Sequence, residues 1–164
     1  MPKISRQPSS ASASSWPLTL PQKALDELSI LIVDDSPLNR KMLIRTLKQH
    51  QVGASYEDVG DDLELLALLG VPANGELSDV DADGWTAGSD KYDVIILDDN
   101  MTYMNGSEAV KKLREHGYEG LVVGVTGSAR EEDLDDFCAA GVDYALPKPF
   151  VIEDFIDLLK LRRR

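Results

Sequence analysis

Three carboxylates, a hydroxyl and an ammonium stand at the ends of apolar runs in this chain. The run 30–33 ends in Asp34 and Asp35, the run 94–97 in Asp98, and the run 121–125 in Thr126; the segment 142–146 leads to Lys148 and Pro149. Adjacent carboxylates repel unless a cation lies between them. With Asp98 added, the three acids form an all-oxygen set suited to Mg2+. A carboxylate such as Asp98 can also accept a phosphoryl group as a nucleophile. Lys148 would pair with a phosphoryl oxygen as a point charge, and Thr126 would hydrogen-bond another. Taken singly, each has a plainer reading. Asp34 and Asp35 would offset the dipole of a following helix, Lys148 would be a solvated loop lysine, and Thr126 an ordinary strand-end residue. The chemistry depends on whether the fold brings the five together.

The runs that carry these residues are short and rich in Val and Ile, as in strands buried on both faces of a parallel sheet. Ligands of such sheets sit beyond the carboxyl ends of the strands, where all five side chains stand. Between the runs lie helical patterns. Ser36 and Pro37 open the first helix, with Leu38, Met42, Leu43 and Leu47 at helical spacing. Residues 54–59 read as a more polar strand, nearer an edge, and 61–69 as a second helix. A third helix covers 107–115, with Ala109, Val110 and Leu113 inward. Ser128 with Glu131 predicts a capping box opening a fourth, and Gly141 is placed to end it. The fifth covers 151–161. The expected class is α/β: five strands alternating with five helices in a doubly wound sandwich.

Composition narrows the function. The chain has 164 residues and a formal net charge of -12, which argues against nucleic acid and against an anionic membrane surface. No apolar stretch approaches the length of a membrane span. The single cysteine, Cys138, excludes a disulfide framework and a cysteine zinc cluster and reads as a small buried apolar residue. A reducing, cytoplasmic setting is expected, with nuclear and organellar settings left open. The first residues are rich in Ser, Ala and Pro and carry no acid, which predicts a disordered tail; an organelle transit peptide shares that signature.

The blocks Ile-Leu-Ile-Val-Asp34-Asp35-Ser, Val-Ile-Ile-Leu-Asp98-Asp-Asn-Met101-Thr-Tyr-Met104-Asn-Gly106, Val-Thr126-Gly-Ser and Leu-Pro-Lys148-Pro149-Phe together resemble the receiver domain of two-component response regulators. The resemblance covers 28–161, leaving 1–27 as a tail and 162–164 as a short basic end. It implies a flavodoxin-like sheet of strand order 2-1-3-4-5. It also implies a phospho-accepting module, not a metabolic enzyme. Asp98 would take a phosphoryl group from a phosphohistidine donor in a Mg2+-dependent reaction and later lose it by self-catalysed hydrolysis. The partner would be a histidine kinase or a histidine phosphotransfer protein. The chain would be a single-domain regulator or the receiver part of a hybrid kinase; its oligomeric state is open.

By the same resemblance, Asp35 is the direct metal ligand and Asp34 its water-mediated neighbour, and the backbone carbonyl of Asn100 completes the set with Asp98. Thr126 is the switch hydroxyl, Gly127 the small residue beside it, Lys148 the family lysine, and Pro149 a proline usually preceded by a cis bond. Asn100 and Ser128 occupy positions that tune the lifetime of the phosphorylated state. Three departures stand out. Thr102 replaces the usual proline, Asn105-Gly106 replaces Asp-Gly, and Ala145 replaces the usual aromatic switch residue. Tyr144, next to it, is expected on the opposite face of the strand.

The stretch between Asp35 and Asp98 exceeds the family pattern, and the excess forms an acidic insertion at 70–91. Within it, Asp79, Asp81, Asp83 and Gly84 match the opening of an EF-hand loop, with Asp90 at its twelfth position. An acidic surface loop anchored by Trp85 is the simpler expectation. Two alternatives follow from these residues. One is a phosphohydrolase similar to haloacid dehalogenases, on the strength of Asp98, Asn100 and Thr102, although Asn100 stands where that chemistry needs an acid. The other is a calcium-responsive binding module built on a pseudo-receiver.

Overall fold

The structure is a computed structural model that describes residues 23–72 and 91–162. The bulk of the tail, residues 73–90 of the insertion with Asp79, Asp90 and Trp85, and the last two residues lie outside the described residues.

Among the described residues, five strands form one parallel sheet: β1 (Ser29–Val33), β2 (Ser55–Val59), β3 (Val94–Asp98), β4 (Leu121–Thr126) and β5 (Tyr144–Pro147), in the order β2-β1-β3-β4-β5. The five α-helices among the described residues are α1 (Pro37–Gln49), α2 (Asp62–Leu68), α3 (Gly106–Glu115), α4 (Glu131–Ala140) and α5 (Ile152–Arg162). The expected flavodoxin-like architecture is present. Its polar strand, β2, lies at one edge, as its composition predicts.

Period-two alternation divides each central strand between two cores. Ile30, Ile32, Val94, Ile96 and Val123 face Leu47 of α1 and Phe155, Leu158 and Leu159 of α5. Leu31, Val33, Ile95, Leu97 and Val122 face α2, α3 and α4 through Leu65, Leu66, Val110, Leu113 and Phe137. Both faces are therefore dry, which is why these strands read as unbroken apolar runs. Cys138 is buried in the second of these cores.

On α1, Leu43, Ile44 and Leu47 carry the inward face, while Leu38 and Met42 are 65% and 59% exposed. Two local expectations need correction. On α4, the N-cap is Arg130 and not Ser128. The Ser128 hydroxyl donates to Asp133 and accepts from the Arg130 amide at 3.4 Å, and the helix starts at Glu131. The hydroxyl is committed deeper in the helix, so the chain stays extended through Arg130. Residues 23–27, counted with the tail from sequence, carry a 3-10 turn, Leu25–Glu27. Lys23 pairs with Asp93 at 3.0 Å and Gly53 donates to Leu25 O at 2.7 Å, which ties this segment to the sheet.

Candidate functional site

The parallel register delivers β1, β3 and β4 to one rim. Val33 pairs with Leu97, and Asp98 with Val125, so Asp34, Asp98 and Thr126 leave the sheet side by side. Thr126 pairs in turn with Pro147, and Lys148 N donates to Thr126 O at 2.7 Å, which carries the lysine to the same rim. The Lys148–Pro149 peptide is cis. One oxygen from each of Asp34, Asp35 and Asp98 lies within 4.8 Å of the others. Such an oxygen-only set, of mixed exposure, fits a hard divalent cation that keeps part of its water shell.

Asp98 is the buried member, 4% exposed. Its Oδ2 accepts from Lys148 Nζ at 3.0 Å and its Oδ1 from the Asn100 amide at 3.2 Å. Burial pushes its carboxyl above the usual range, with Asp34 adding to the shift; Lys148 and Asn100 pull the other way without cancelling it. Asp34 is oriented by an Asx turn, its Oδ1 accepting from Ser36 N at 2.8 Å. Asp35 is exposed, and its carboxylate makes no hydrogen bond among the described residues. The Thr126 hydroxyl accepts from Ser128 N at 3.2 Å, which turns it toward the β4–α4 connection. A Cβ built on Gly127 would meet nothing within 4 Å, so there is open room beside that hydroxyl.

The loop after β3 closes through a capping box. Asn105 Oδ1 accepts from Glu108 N at 2.8 Å, and Glu108 Oε2 accepts from Asn105 N at 3.1 Å. Gly106 lets α3 approach the strand end. A Cβ there would lie 2.5 Å from the Asp98 carbonyl oxygen. Asn105 in place of the usual acid thus keeps the cap, and the glycine keeps the close approach.

Asp34, Asp35, Asp98, Thr126 and Lys148 meet at this rim, whereas the acids of the EF-hand-like stretch lie outside the described residues. Ala145 is fully buried on the α4 face, and Tyr144 belongs to the opposite core, as alternation requires. Sequence reasoning missed what fills the space beside Ala145. Gly124, its register partner on β4, has the Phe137 ring so close that a Cβ would lie 2.3 Å from it. Arg40 was also missed. It bridges Asp34 O and Asp58, and no local spacing announces a partner on another strand.

Comparison with known proteins agrees with this geometry. The family profile for the response regulator receiver domain matches residues 30–160. Two-component response regulator 24 of Arabidopsis thaliana is 31% identical over 140 residues, covering 85% of this chain and 87% of that protein. Sensor protein EvgS of Escherichia coli K12 is 30% identical over 152 residues, 92% of this chain but only 11% of that much longer protein. A chain in the co-crystal structure of the Saccharomyces cerevisiae histidine phosphotransfer signaling protein Ypd1 with the receiver domain of its downstream response regulator Ssk1 superposes with a TM-score of 0.62. That match covers 84% of this chain and 90% of the other at 19% identity, a likeness of fold. Among the described residues, no helix is long and apolar enough to cross a membrane.

Proposed function

The chain belongs to the response regulator receiver domain family, a family of signalling modules and not classical enzymes, and on that premise we propose that Asp98 is its phosphoacceptor. The observation that carries the reading is the contact of Lys148 Nζ with Asp98 Oδ2 at 3.0 Å, with Asp34 and Asp35 oxygens beside it.

In the proposed transfer, an Asp98 oxygen bonds to phosphorus while the phosphorus–nitrogen bond of a phosphohistidine breaks and its electron pair returns to the imidazole. Lys148 leaves the carboxylate and pairs with a phosphoryl oxygen, offsetting the added charge. The Thr126 hydroxyl turns from the Ser128 amide to a second oxygen. Asp34, Asp35, Asp98 and the Asn100 carbonyl would hold Mg2+, which when bound neutralises the acids and the incoming group. The same residues, with a water, would serve the self-catalysed hydrolysis that resets the domain.

The donor would be a histidine kinase or a histidine phosphotransfer protein, the latter being the partner of the yeast receiver. Support comes from the surface around the site. Leu38 and Met42 expose apolar surface on α1, and Val151 does so beyond β5. Between them a groove of ≈ 340 Å³ runs past Met42 and Phe150 to Asp98 and Lys148. An apolar rim leading to a charged centre suits an amphipathic helix that presents a histidine. A cytoplasmic setting goes with this partner class.

Neither the phosphohydrolase nor the calcium-module alternative is favoured. Asn100 offers no acid for general acid–base work, and the EF-hand-like stretch has Asp90 where such loops carry a bidentate glutamate.

The test is incubation with acetyl phosphate and Mg2+ followed by intact mass. One phosphoryl adduct is expected, absent in Asp98→Asn. A parent chain that stays unmodified, or an Asp98→Asn chain that still gains the adduct, would sink the assignment.

A further inference from the structure

Asp34 and Asp35 sit on a turn, and turns do not aim side chains unless something holds the backbone. Asp34 has its own support in the Ser36 amide, and Asn39 Nδ2 reaches its Oδ2 at 3.4 Å. Asp35 has no such support, because its carboxylate makes no hydrogen bond among the described residues. Its direction therefore rests on the two peptides that flank it: the leaving one is tied down by the Ser36 amide's bond to Asp34, and the entering one remains to be held. The entering peptide is planar, and its oxygen is the Asp34 carbonyl.

Arg40 holds this oxygen. Its Nη1 donates to Asp34 O at 2.6 Å while its Nε donates to Asp58 Oδ2 at 2.6 Å. The guanidinium thus clamps the end of β1 to β2, and the side chain is only 16% exposed. The clamp has a fitted floor. A Cβ on Gly60 would lie 3.3 Å from Nη1 and 3.8 Å from Cζ, so the fork lies over the bare backbone that follows β2. Arg40 Nη1 and Nε thus meet two acceptors on different strands at once, which a rigid planar fork does and an ammonium does not.

We propose that Arg40 is a positioning residue: by pinning the Asp34–Asp35 peptide to Asp58 it aims Asp35 into the acidic cluster and so sets the affinity for Mg2+. The inference rests on the metal site of the preceding section. It carries a sign that separates it from a plain charge effect. A cation beside three acids competes with Mg2+, so if Arg40 acted only through its charge, removing it would tighten Mg2+ binding. If it aims Asp35, removing it weakens binding, and replacing it with lysine does too.

The experiment is calorimetric titration of the full chain with MgCl2 alone, for the parent, Arg40→Met, Arg40→Lys and Asp58→Asn. Both Arg40 variants are expected to bind Mg2+ roughly tenfold more weakly, the range typical of lost support behind a metal ligand. Asp58→Asn, which loosens one arm, should show a smaller loss. Phosphoryl uptake from acetyl phosphate should recover at saturating Mg2+ in all of them. Lys160→Met is the control, since it also removes one positive charge but is exposed near the far end of α5, away from the site; it should leave Mg2+ affinity unchanged. Mg2+ affinity that is unchanged or tighter in Arg40→Met overturns the inference. A parent chain that binds no Mg2+ overturns both the inference and the metal site. A parent whose Mg2+ affinity depends on Arg40 as expected but which takes up no phosphoryl group sinks only the phosphoacceptor reading.

Discussion

Lys148 Nζ donates to Asp98 Oδ2 at 3.0 Å across a separation of 50 residues, yet burial still leaves the Asp98 carboxyl above its usual range. The lysine side chain is 34% exposed, so solvent screens part of its attraction. The carboxylate is therefore held in the native state at a net cost in stability. A raised native value means folding stability is greatest below the ordinary aspartate range and falls as pH rises through the native value.

The first prediction follows from that sign. Without Mg2+, Asp98→Asn should unfold at a higher temperature than the parent at pH 7. The gain should shrink as pH falls below about 4, where the parent's Asp98 is neutral in both states. Thermal unfolding followed by circular dichroism at both pH values measures it. A less stable Asn variant at pH 7 would show that the Lys148 pair outweighs desolvation.

The strand-end chemistry was legible in sequence because a buried parallel strand advertises itself twice, in an unbroken apolar run and in the polar residue that ends it. Asp34, Asp98 and Thr126 needed nothing more than that. Relations across elements were not legible. Phe137 over Gly124 depends on how α4 lies on the sheet, and Arg40 to Asp58 depends on β2 being the neighbour of β1. The exposure of Leu38 and Met42 was not legible for a related reason. Helical spacing marks a face as apolar but does not say whether the protein's own core or a partner covers it.

That exposed face yields a second prediction. Met42→Glu places a charge at the groove mouth, where an incoming helix would bury it. Transfer from a phosphorylated histidine phosphotransfer protein should slow by roughly tenfold or more, since truncating a central contact costs above about 1.4 kcal/mol. Labelling by acetyl phosphate should be unchanged, because Met42 touches no reacting group. Radiolabel transfer and small-molecule labelling, run side by side, separate docking from chemistry. Equal losses in both assays would refute a docking role.

At the opposite end of the sheet, Arg114 joins four carbonyl and carboxylate acceptors. It donates to Gly141 O at 3.0 Å, Tyr118 O at 2.7 Å, Gly120 O at 2.9 Å and Asp143 Oδ2 at 3.0 Å. Both Arg114 and Asp143 are largely buried. Arg114→Ala should cost about 3 kcal/mol or more in urea unfolding, because it strips a largely buried carboxylate of its countercharge and takes a donor from three carbonyls. Arg114→Ala and Asp143→Asn together should cost less than the sum of the two alone. Strict additivity would mean the pair does not act as a unit.

The approach of α3 to the phosphoacceptor strand gives the last prediction. In Gly106→Ala the new methyl would meet the Asp98 carbonyl oxygen at 2.5 Å and the Asp99 Cα at 2.8 Å, both backbone atoms that cannot swing aside. Either α3 retreats or the end of β3 bends, and overpacking of this kind costs roughly 1–3 kcal/mol. The choice shows in the chemistry. If β3 bends, Asp98 moves against Lys148 and acetyl phosphate labelling falls along with stability. If α3 retreats, the Asn105–Glu108 cap loosens while labelling persists. Urea unfolding with labelling rates at matched Mg2+ distinguishes the two, and because Asp98 O is the nearer contact, loss of labelling is the expected result. A variant as stable as the parent would show that the close approach is not needed.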